Sequence, residues 1–420
     1  MKVGFLGLGK LGLPVALAIE SKGHYVCGTD ISHKTIENIK NKKIGYKEIW
    51  VDDFLKNTKL EVFDIAGVVK NSDIIFVPIQ TPHEEKYEGV TRIPKERADF
   101  NYQYLIDGMK QLSAEIEKNG KNKIVIIIST VLPGTIRKEI KPFLCDNIQL
   151  CYNPFFIAMG STMRDFLHPE FVLFGVDNLA AYKVCKEFYK TITNATLYET
   201  TIENAELIKV SYNTLISTKI AFSNTIMELC HKLPNTNVDD VTNALKLANR
   251  RLISGNYMDG GMGDGGGCHP RDNIAMSYLS EKLNISHNWF ENIMLQREKQ
   301  SDWLAALIIE NSKGLRINIL GKSFKAESNL ILGSPAILLQ NILKEKNIKT
   351  NIWDPIVDGN FEEYSKKYKW NEEPQLFFIA TKHDEFNKFP FYSGSTVIDP
   401  WRYISVNKDI KLIRVGDSKE

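Results

Sequence analysis

Residues 2–30 read KVGFLGLGKLGLPVALAIESKGHYVCGTD, and the order of features in this stretch decides the fold. A short apolar run (2–6) meets Gly7-Leu8-Gly9-Lys10-Leu11-Gly12, a helix-like stretch follows over 13–21, and a second strand over 24–28 ends at Asp30. Strand, glycines, helix, strand and then an acid about 20 residues past the glycines make up the dinucleotide-binding fingerprint. Gly7 would permit the tight turn, Gly9 would let a pyrophosphate approach, and Gly12 would let helix pack on strand. Lys10 and Leu11 complete the cofactor-binding loop at the helix N-terminus, where free N–H groups meet phosphate. Asp30 would accept hydrogen bonds from a ribose diol and repel a 2′-phosphate, so the expected cofactor is NAD rather than NADP.

Strands and helices continue to alternate. The strand over 73–77 ends at Gln80-Thr81-Pro82, that over 123–128 ends at Ser129-Thr130-Val131, and two more reach Tyr152 and span 170–175. Ligands of a doubly wound sheet lie outside the carboxyl ends of its strands, which places Thr81, Pro82 and Thr130 at the cofactor crevice. Hydroxyls are equally common there as turn residues. The polar stretch 84–99 reads as a loop. From 203 to 231 the pattern is one long helix, and 273–311 reads as a second. Lys209 and Asn213 share a face of the first, and the spacing alone reads as a solvated face. A new α/β unit opens near 315, with strands over 316–320, 350–353, 375–380 and 396–398, a helix over 335–344 and no glycine fingerprint. Lys325 and Arg402 fall at strand ends there, as holders of a phosphate-bearing ligand or as solvated charges. The predicted fold is α/β: two Rossmann-like, doubly wound parallel-sheet domains (1–198 and 313–420) joined by a central all-helical domain (199–312) built on a long helix.

Ahead of the second long helix, GGMGDGGG (260–267) delivers the chain to Cys268-His269-Pro270-Arg271-Asp272. Such glycine density marks backbone shaped around a neighbour, and what it presents is one thiol beside a cation, Arg271. A linker that happens to carry a cysteine is the plainer reading of this segment alone. With 43% hydrophobic and 25% charged residues among 420, the composition is that of a soluble globular protein, and a net charge of +2 supports neither nucleic-acid nor membrane-surface binding. Six scattered cysteines without metal-ligand spacing read as reduced thiols and imply no metal. The apolar run 124–128 is far too short to span a bilayer, so the expected location is cytoplasmic. Long helices between two α/β units need a partner for their apolar stripe, which predicts a homodimer.

Taken in order, GLGKLGLP (7–14), Asp30, QTP (80–82), STVLPGT (129–135), AELIKVSYNTLISTKIAFSN (205–224), GDGGGCHPRD (263–272), LGKSFK (320–325), GSPA (333–336), IWDP (352–355), IATKHDEF (379–386) and IDPWR (398–402) resemble the nucleotide-sugar dehydrogenases nearly end to end. That is the family of UDP-glucose 6-dehydrogenase and its relatives acting on UDP-HexNAc and GDP-mannose. The resemblance implies NAD on the first domain, a nucleotide-diphosphate sugar on the third, and dimerisation through the central helices. It also implies that Cys268 captures an aldehyde formed at the sugar's sixth carbon as a thiohemiacetal, which a second oxidation turns into a thioester. Lys209 then stabilises alkoxide or oxyanion, Asn213 orients the same oxygen through water, Asp272 assists proton transfer, and Thr130 lies near cofactor and catalytic water. Arg271 joins the cofactor-binding set. Asn153, Phe155, Gly265, Gly266, Phe324, Lys325 and Arg402 join the substrate-binding set, together with Arg251, or Arg250 in its place, reaching across the dimer.

The chain departs from the family pattern in specific places. Relatives carry a glutamate after Asn153-Pro154 that positions the hydrolytic water; here Phe155 stands there, and Met159 replaces a second acid. Arg271 replaces a lysine, keeping charge but not geometry. The stretch NLILGSP (329–335) lacks the acids and the arginine that relatives carry. UDP-glucose leads as substrate, with UDP-HexNAc and GDP-mannose as alternatives. Two other readings remain: a one-step hydroxyacid dehydrogenase, which needs neither third unit nor thiol, and a non-catalytic binding protein that keeps NAD affinity.

Overall fold

The computed structural model describes residues 1–417 apart from 93, 250–253, 255, 258, 283 and 285–287. These residues fall into two compact units, Met1–Pro82 with Phe100–Tyr212, and His83–Asp99 with Asn213–Glu420.

The first unit is built on strands β1 (Lys2–Leu6), β2 (Tyr25–Thr29), β3 (Glu61–Val62), β4 (Ile74–Val77), β5 (Lys123–Ile127), β6 (Ile148–Tyr152), β7 (Phe171–Val176) and β8 (Thr196–Thr200), in the sheet order β3-β2-β1-β4-β5-β6-β7-β8. Strands β4 and β5 are buried along their whole length, because helices cover both faces of a parallel sheet and leave no polar side for alternation. The order reverses between β1 and β4, which opens a crevice outside the carboxyl ends of those two strands. One departure from the predicted parallel sheet is β7, which runs antiparallel to β6. The connection between them holds only the six-residue helix Thr162–Leu167, about 9 Å long, instead of a helix that crosses back over the sheet. Aromatic side chains fill one face of the sheet: Phe5 stacks on Phe76, and Phe76 meets Phe155 and Phe188.

In the second unit, β9 (Ile317–Leu320), β10 (Thr350–Trp353), β11 (Leu376–Ile379), β12 (Thr396–Asp399) and β13 (Lys411–Arg414) form a wholly parallel sheet in the order β10-β9-β11-β12-β13. Leu304 and Ile308 of the helix Trp289–Ser312 and Leu339 and Ile342 of the helix Pro335–Glu345 share its core with Ile319, Phe378 and Ile398. The long helix expected over 203–231 spans Ile202–Lys232. The helix expected over 273–311 is instead two, His269–Lys282 and Trp289–Ser312. Asn288 starts the second of these, its side chain accepting from Glu291 N. The described residues of the 83–99 segment are irregular apart from one short 3₁₀ turn, Glu85–Tyr87, as the polar sequence suggests. It packs with the second unit, Tyr87 lying against Ile274, Ile293 and Met294. Among the described residues no helix is long and apolar enough to cross a membrane, and no group of three or more His, Cys, Asp and Glu residues could hold a metal.

Candidate active site

In the first unit, the three glycines of the β1 loop have three different reasons to be glycine. Gly7 sits at φ +120°, a backbone state that side chains disfavour. A Cβ on Gly12 would lie 2.1 Å from the Gly7 carbonyl oxygen, so this glycine seats the helix Gly12–Ser21 against the loop. A Cβ on Gly9 would meet nothing within 4 Å, which leaves the open approach a pyrophosphate needs. Asp30 accepts from Leu8 N at 2.8 Å and from Ser32 N at 2.8 Å. Its carboxylate therefore shapes the loop while keeping lone pairs for a ribose diol. Lys10 is exposed and Leu11 half-buried at the start of that helix. The residues present fit a dinucleotide.

Across the switch point, the β4 and β5 loops are stitched together. Ser129 Oγ donates to Ile79 O at 2.5 Å, and Thr81 Oγ1 donates to Thr130 O at 2.7 Å. Thr81 is thus buried and its hydroxyl is committed to loop geometry, whereas Thr130 remains partly exposed at the strand end. Lys209 is buried, with Nζ 5.2 Å from the Phe156 ring centroid. Asn153 is internal: Nδ2 donates to Leu173 O at 2.7 Å and Oδ1 accepts from Tyr189 Oη. Phe155 belongs to the core against Phe76 and Phe166. The side chain that stands for the expected acid is therefore turned into the hydrophobic interior.

In the second unit, Cys268 is partly exposed and immediately precedes the helix His269–Lys282. Unpaired backbone N–H groups at such a helix start favour developing negative charge. Asp272 lies one turn along this helix and is fully buried. It accepts from Asn213 Nδ2 at 2.5 Å and from Arg271 Nε at 3.1 Å. The solvated-face reading of the Lys209 and Asn213 spacing fails, since both side chains are buried and Asn213 is spent on a carboxylate.

The glycine run is packed on every side. Added Cβ atoms on Gly265 and Gly266 would lie 3.0 and 3.1 Å from Phe324, and one on Gly261 would lie 2.2 Å from Trp401. Gly333, at φ +62°, closes the loop from outside, its Cβ position 2.4 Å from Gly266 O. Close approach of Phe324 at Gly265 and Gly266, Trp401 at Gly261, Arg297 at Gly263 and Leu332 at Gly267, rather than mobility, explains the glycines. The structure thereby brings together Gly265, Gly266, Phe324 and Lys325, whose ammonium lies 5.7 Å from the Phe324 ring centroid. Below them Asp354 accepts from Lys322 N, Ser323 N and Ser323 Oγ at 2.8–2.9 Å, with His383 Nε2 at 3.1 Å. Burial alone would push the Asp354 carboxyl up, but bonds from His383 and the two backbone amides outweigh it and hold it well below the usual carboxylate range.

Arg402, expected on a phosphate, is committed within the protein. It pairs with Asp239 at 2.6 Å and donates to Gly260 O at 2.8 Å and Val415 O at 3.0 Å. Arg251 and its alternative Arg250 lie outside the described residues. Two residues escaped sequence reasoning. Arg297, fully buried, pairs with Asp264 at 2.8 Å and donates to Gly89 O and Gly333 O, so one side chain pins the glycine run to two other loops. An arginine inside an amphipathic helix carries no local sign of this. His83 packs edge-on to Tyr87, and burial together with the Arg271 charge pulls its pKa down to about 4, leaving a neutral imidazole near the Arg271-Asp272 turn. Its place directly after QTP was the available signal.

Comparison with known proteins is consistent along the whole length. Residues 1–193 match the NAD-binding domain of the UDP-glucose/GDP-mannose dehydrogenase family, and residues 203–296 match the family's central domain. A UDP-glucose 6-dehydrogenase from Rickettsia conorii is 27% identical over 98% of this chain and 98% of its own. In fold, the chain is similar to a UDP-glucose dehydrogenase from Pyrobaculum islandicum, with TM-score 0.83 at 22% identity over 99% of this chain and 97% of that one. It is similar as well to a UDP-D-ManNAc dehydrogenase from Pyrococcus horikoshii, with TM-score 0.82 at 22% identity over the full length of both. The fingerprint at β1, the thiol at the head of a helix with Asn213 and Asp272 behind it, and these two matched domains agree: the chain belongs to the UDP-glucose/GDP-mannose dehydrogenase family and is an NAD-dependent nucleotide-sugar 6-dehydrogenase.

Proposed function

We propose that the protein oxidises the 6-hydroxymethyl group of UDP-glucose to the uronate in two steps on Cys268. NAD supplies the acceptor for the hydride in each oxidation. Lys209 stabilises the alkoxide as the alcohol loses its proton, and Cys268 adds through Sγ to the aldehyde carbon while the carbonyl oxygen takes up a proton. Loss of a second hydride and of the hydroxyl proton leaves a thioester. Water then attacks the acyl carbon, the C–S bond breaks, the thiol is restored and the acid leaves. The observation that carries this reading is the buried Asn213-Asp272 pair one turn behind Cys268, an acceptor for the proton of an attacking water. Phe155 offers no base, so the hydrolytic water falls to Asp272 and Thr130.

The functional division follows the sequence: NAD on 1–198, thiol and dimer surface on 199–312, sugar nucleotide on 313–420 with Phe324, Lys325, Gly265 and Gly266 lining its place. Arg402 serves the second unit by holding Gly260 O and Asp239, and Asn153 and Phe155 serve the packing of the first. The exposed Leu215, Phe222 and Trp289 offer an apolar face suited to a second copy of the chain. All six cysteines are free thiols, in keeping with a reducing cytoplasm.

A panel of UDP- and GDP-sugars tests the reading by NADH formed per sugar consumed. Two NADH per UDP-glucose is the expected result. One NADH and an aldehyde or stable acyl-enzyme would end the two-step assignment, and preference for a UDP-HexNAc or GDP-mannose would move the substrate.

A further inference from the structure

Within the first unit, a buried carboxylate outside the proposed chemistry holds the loop that carries Thr130. Glu206 lies one turn before Lys209 on the Ile202–Lys232 helix and is fully buried. Its Oε2 accepts from Gly134 N at 2.6 Å and its Oε1 from Ile136 N at 2.9 Å. Those two amides begin the turn that follows the 130–133 loop, in which Gly134 takes φ +87°. The same loop is held at its other end by Thr81 Oγ1 on Thr130 O, and in its middle by Leu132 N donating to Tyr102 Oη at 3.2 Å. Glu206 is the only one of these ties among the described residues that comes from the lysine helix.

We propose that Glu206 is a positioning residue for the dehydrogenation: its ionised carboxylate clamps the Thr130 loop to the helix that carries Lys209, so that the cofactor-side hydroxyl and the alkoxide-stabilising ammonium are held in one register. The proposal rests on the functional reading above. A carboxylate accepts from both amides at once, whereas a protonated carboxyl turns one oxygen into a donor and drops one of the two N–H groups. The clamp is therefore a function of charge. The charged groups that act on it are Glu203 on its own helix and Arg137 from the 136–140 turn, which pairs with Glu203 and Asp177. Burial pushes the Glu206 carboxyl up to about 7, against the opposing bonds from Ile136 and Gly134, so the charge on which the clamp depends changes near neutral pH.

The test is the pH dependence of kcat for wild type, Glu206→Gln and Glu206→Asp, with NAD and the sugar nucleotide selected by the panel. Wild type is expected to lose rate on the acid side with a midpoint near pH 7. In E206Q, which cannot ionise and can satisfy only one amide, kcat at about pH 8.5 falls roughly 10- to 100-fold, the acid limb disappears, and KM for NAD shifts by no more than about two-fold. E206D keeps a limb at reduced kcat, an outcome that loss of fold would not produce. Hydrogen exchange supplies a readout independent of turnover: the Gly134 and Ile136 amides exchange faster in E206Q while β5 stays protected. An unchanged acid limb in E206Q, or unchanged protection of the two amides, overturns the proposal. If E206Q does not fold, absence of the limb from wild type and E206D overturns it equally. A wild-type protein that reduces NAD with no nucleotide sugar would defeat the functional reading separately, and amide exchange would still decide whether the carboxylate holds the loop.

Discussion

At the scale of single residues, charge placement separates what serves the chemistry from what serves the fold. Lys209 is buried beside an aromatic ring, where its charge carries a desolvation cost. Lys209→Ala should lower kcat by roughly 10²–10³, the usual loss for one oxyanion donor, with little change in NAD affinity, read by steady-state kinetics and titration calorimetry. Cys268→Ser should eliminate uronate; undiminished acid from that variant, measured by chromatography, removes the thiol from the mechanism. Glu206 makes a second statement, about stability. Folding raises its pKa from 4.5 to about 7, so the folded chain binds more protons than the unfolded one between those values. Its contribution is fully present below about pH 4.5 and is lost as pH rises through about 7. Relative to Glu206→Gln, wild type should lose up to about 3 kcal/mol over that window, measured by denaturant unfolding at a series of pH values.

At the scale of elements, the glycine run and its surroundings behave as one packed assembly. Arg297 reaches from the helix Trp289–Ser312 to Asp264, Gly89 and Gly333, and Arg402 reaches Gly260 and Asp239 from the end of β12. Arg402 was open to a functional reading and Arg297 carried no local sign of any role, yet burial and carbonyl partners make both of them ties. Arg297→Met would leave Asp264 buried and unpaired, a loss of about 3–5 kcal/mol. Restoring a neutral site with the double change Arg297→Met, Asp264→Asn should recover part of it, and a double-mutant cycle in urea measures how much. A double variant no more stable than R297M would show that the carbonyl contacts, and not the ion pair, hold the loop.

At the scale of the whole molecule, the second unit exposes Leu215 and Phe222 two turns apart on the long helix, with Trp289 beside Thr218 between them. A face of large apolar side chains on one helix stripe is costly to leave in water. The wild-type chain should therefore sediment as a dimer, and Leu215→Glu with Phe222→Glu should shift it to monomer; a wild type that sediments as a monomer at micromolar concentration rejects this interface. Loss of the dimer should also depress turnover if Arg250 or Arg251 reaches a neighbouring protomer's substrate.

Much of this was legible in the chain itself, because the features concerned are local. The β1 fingerprint, Asp30 and the strand ends at Thr81 and Thr130 follow from short-range periodicity and from glycine's backbone freedom, which act within a few residues of one another. The thiol and its following aspartate were likewise adjacent in sequence. Tertiary structure alone decided what depends on partners distant along the chain. Phe155 proved to be core because Phe76 and Phe166 surround it, and Asn213 was turned from a face presumed wet onto Asp272, 59 residues away. Arg402 was consumed by Asp239 and Gly260, and Glu206 was given two backbone amides some 70 residues upstream. Sequence determines which groups are present and how the nearest ones repeat; burial and the partner that meets a charge are settled only when distant segments close around it.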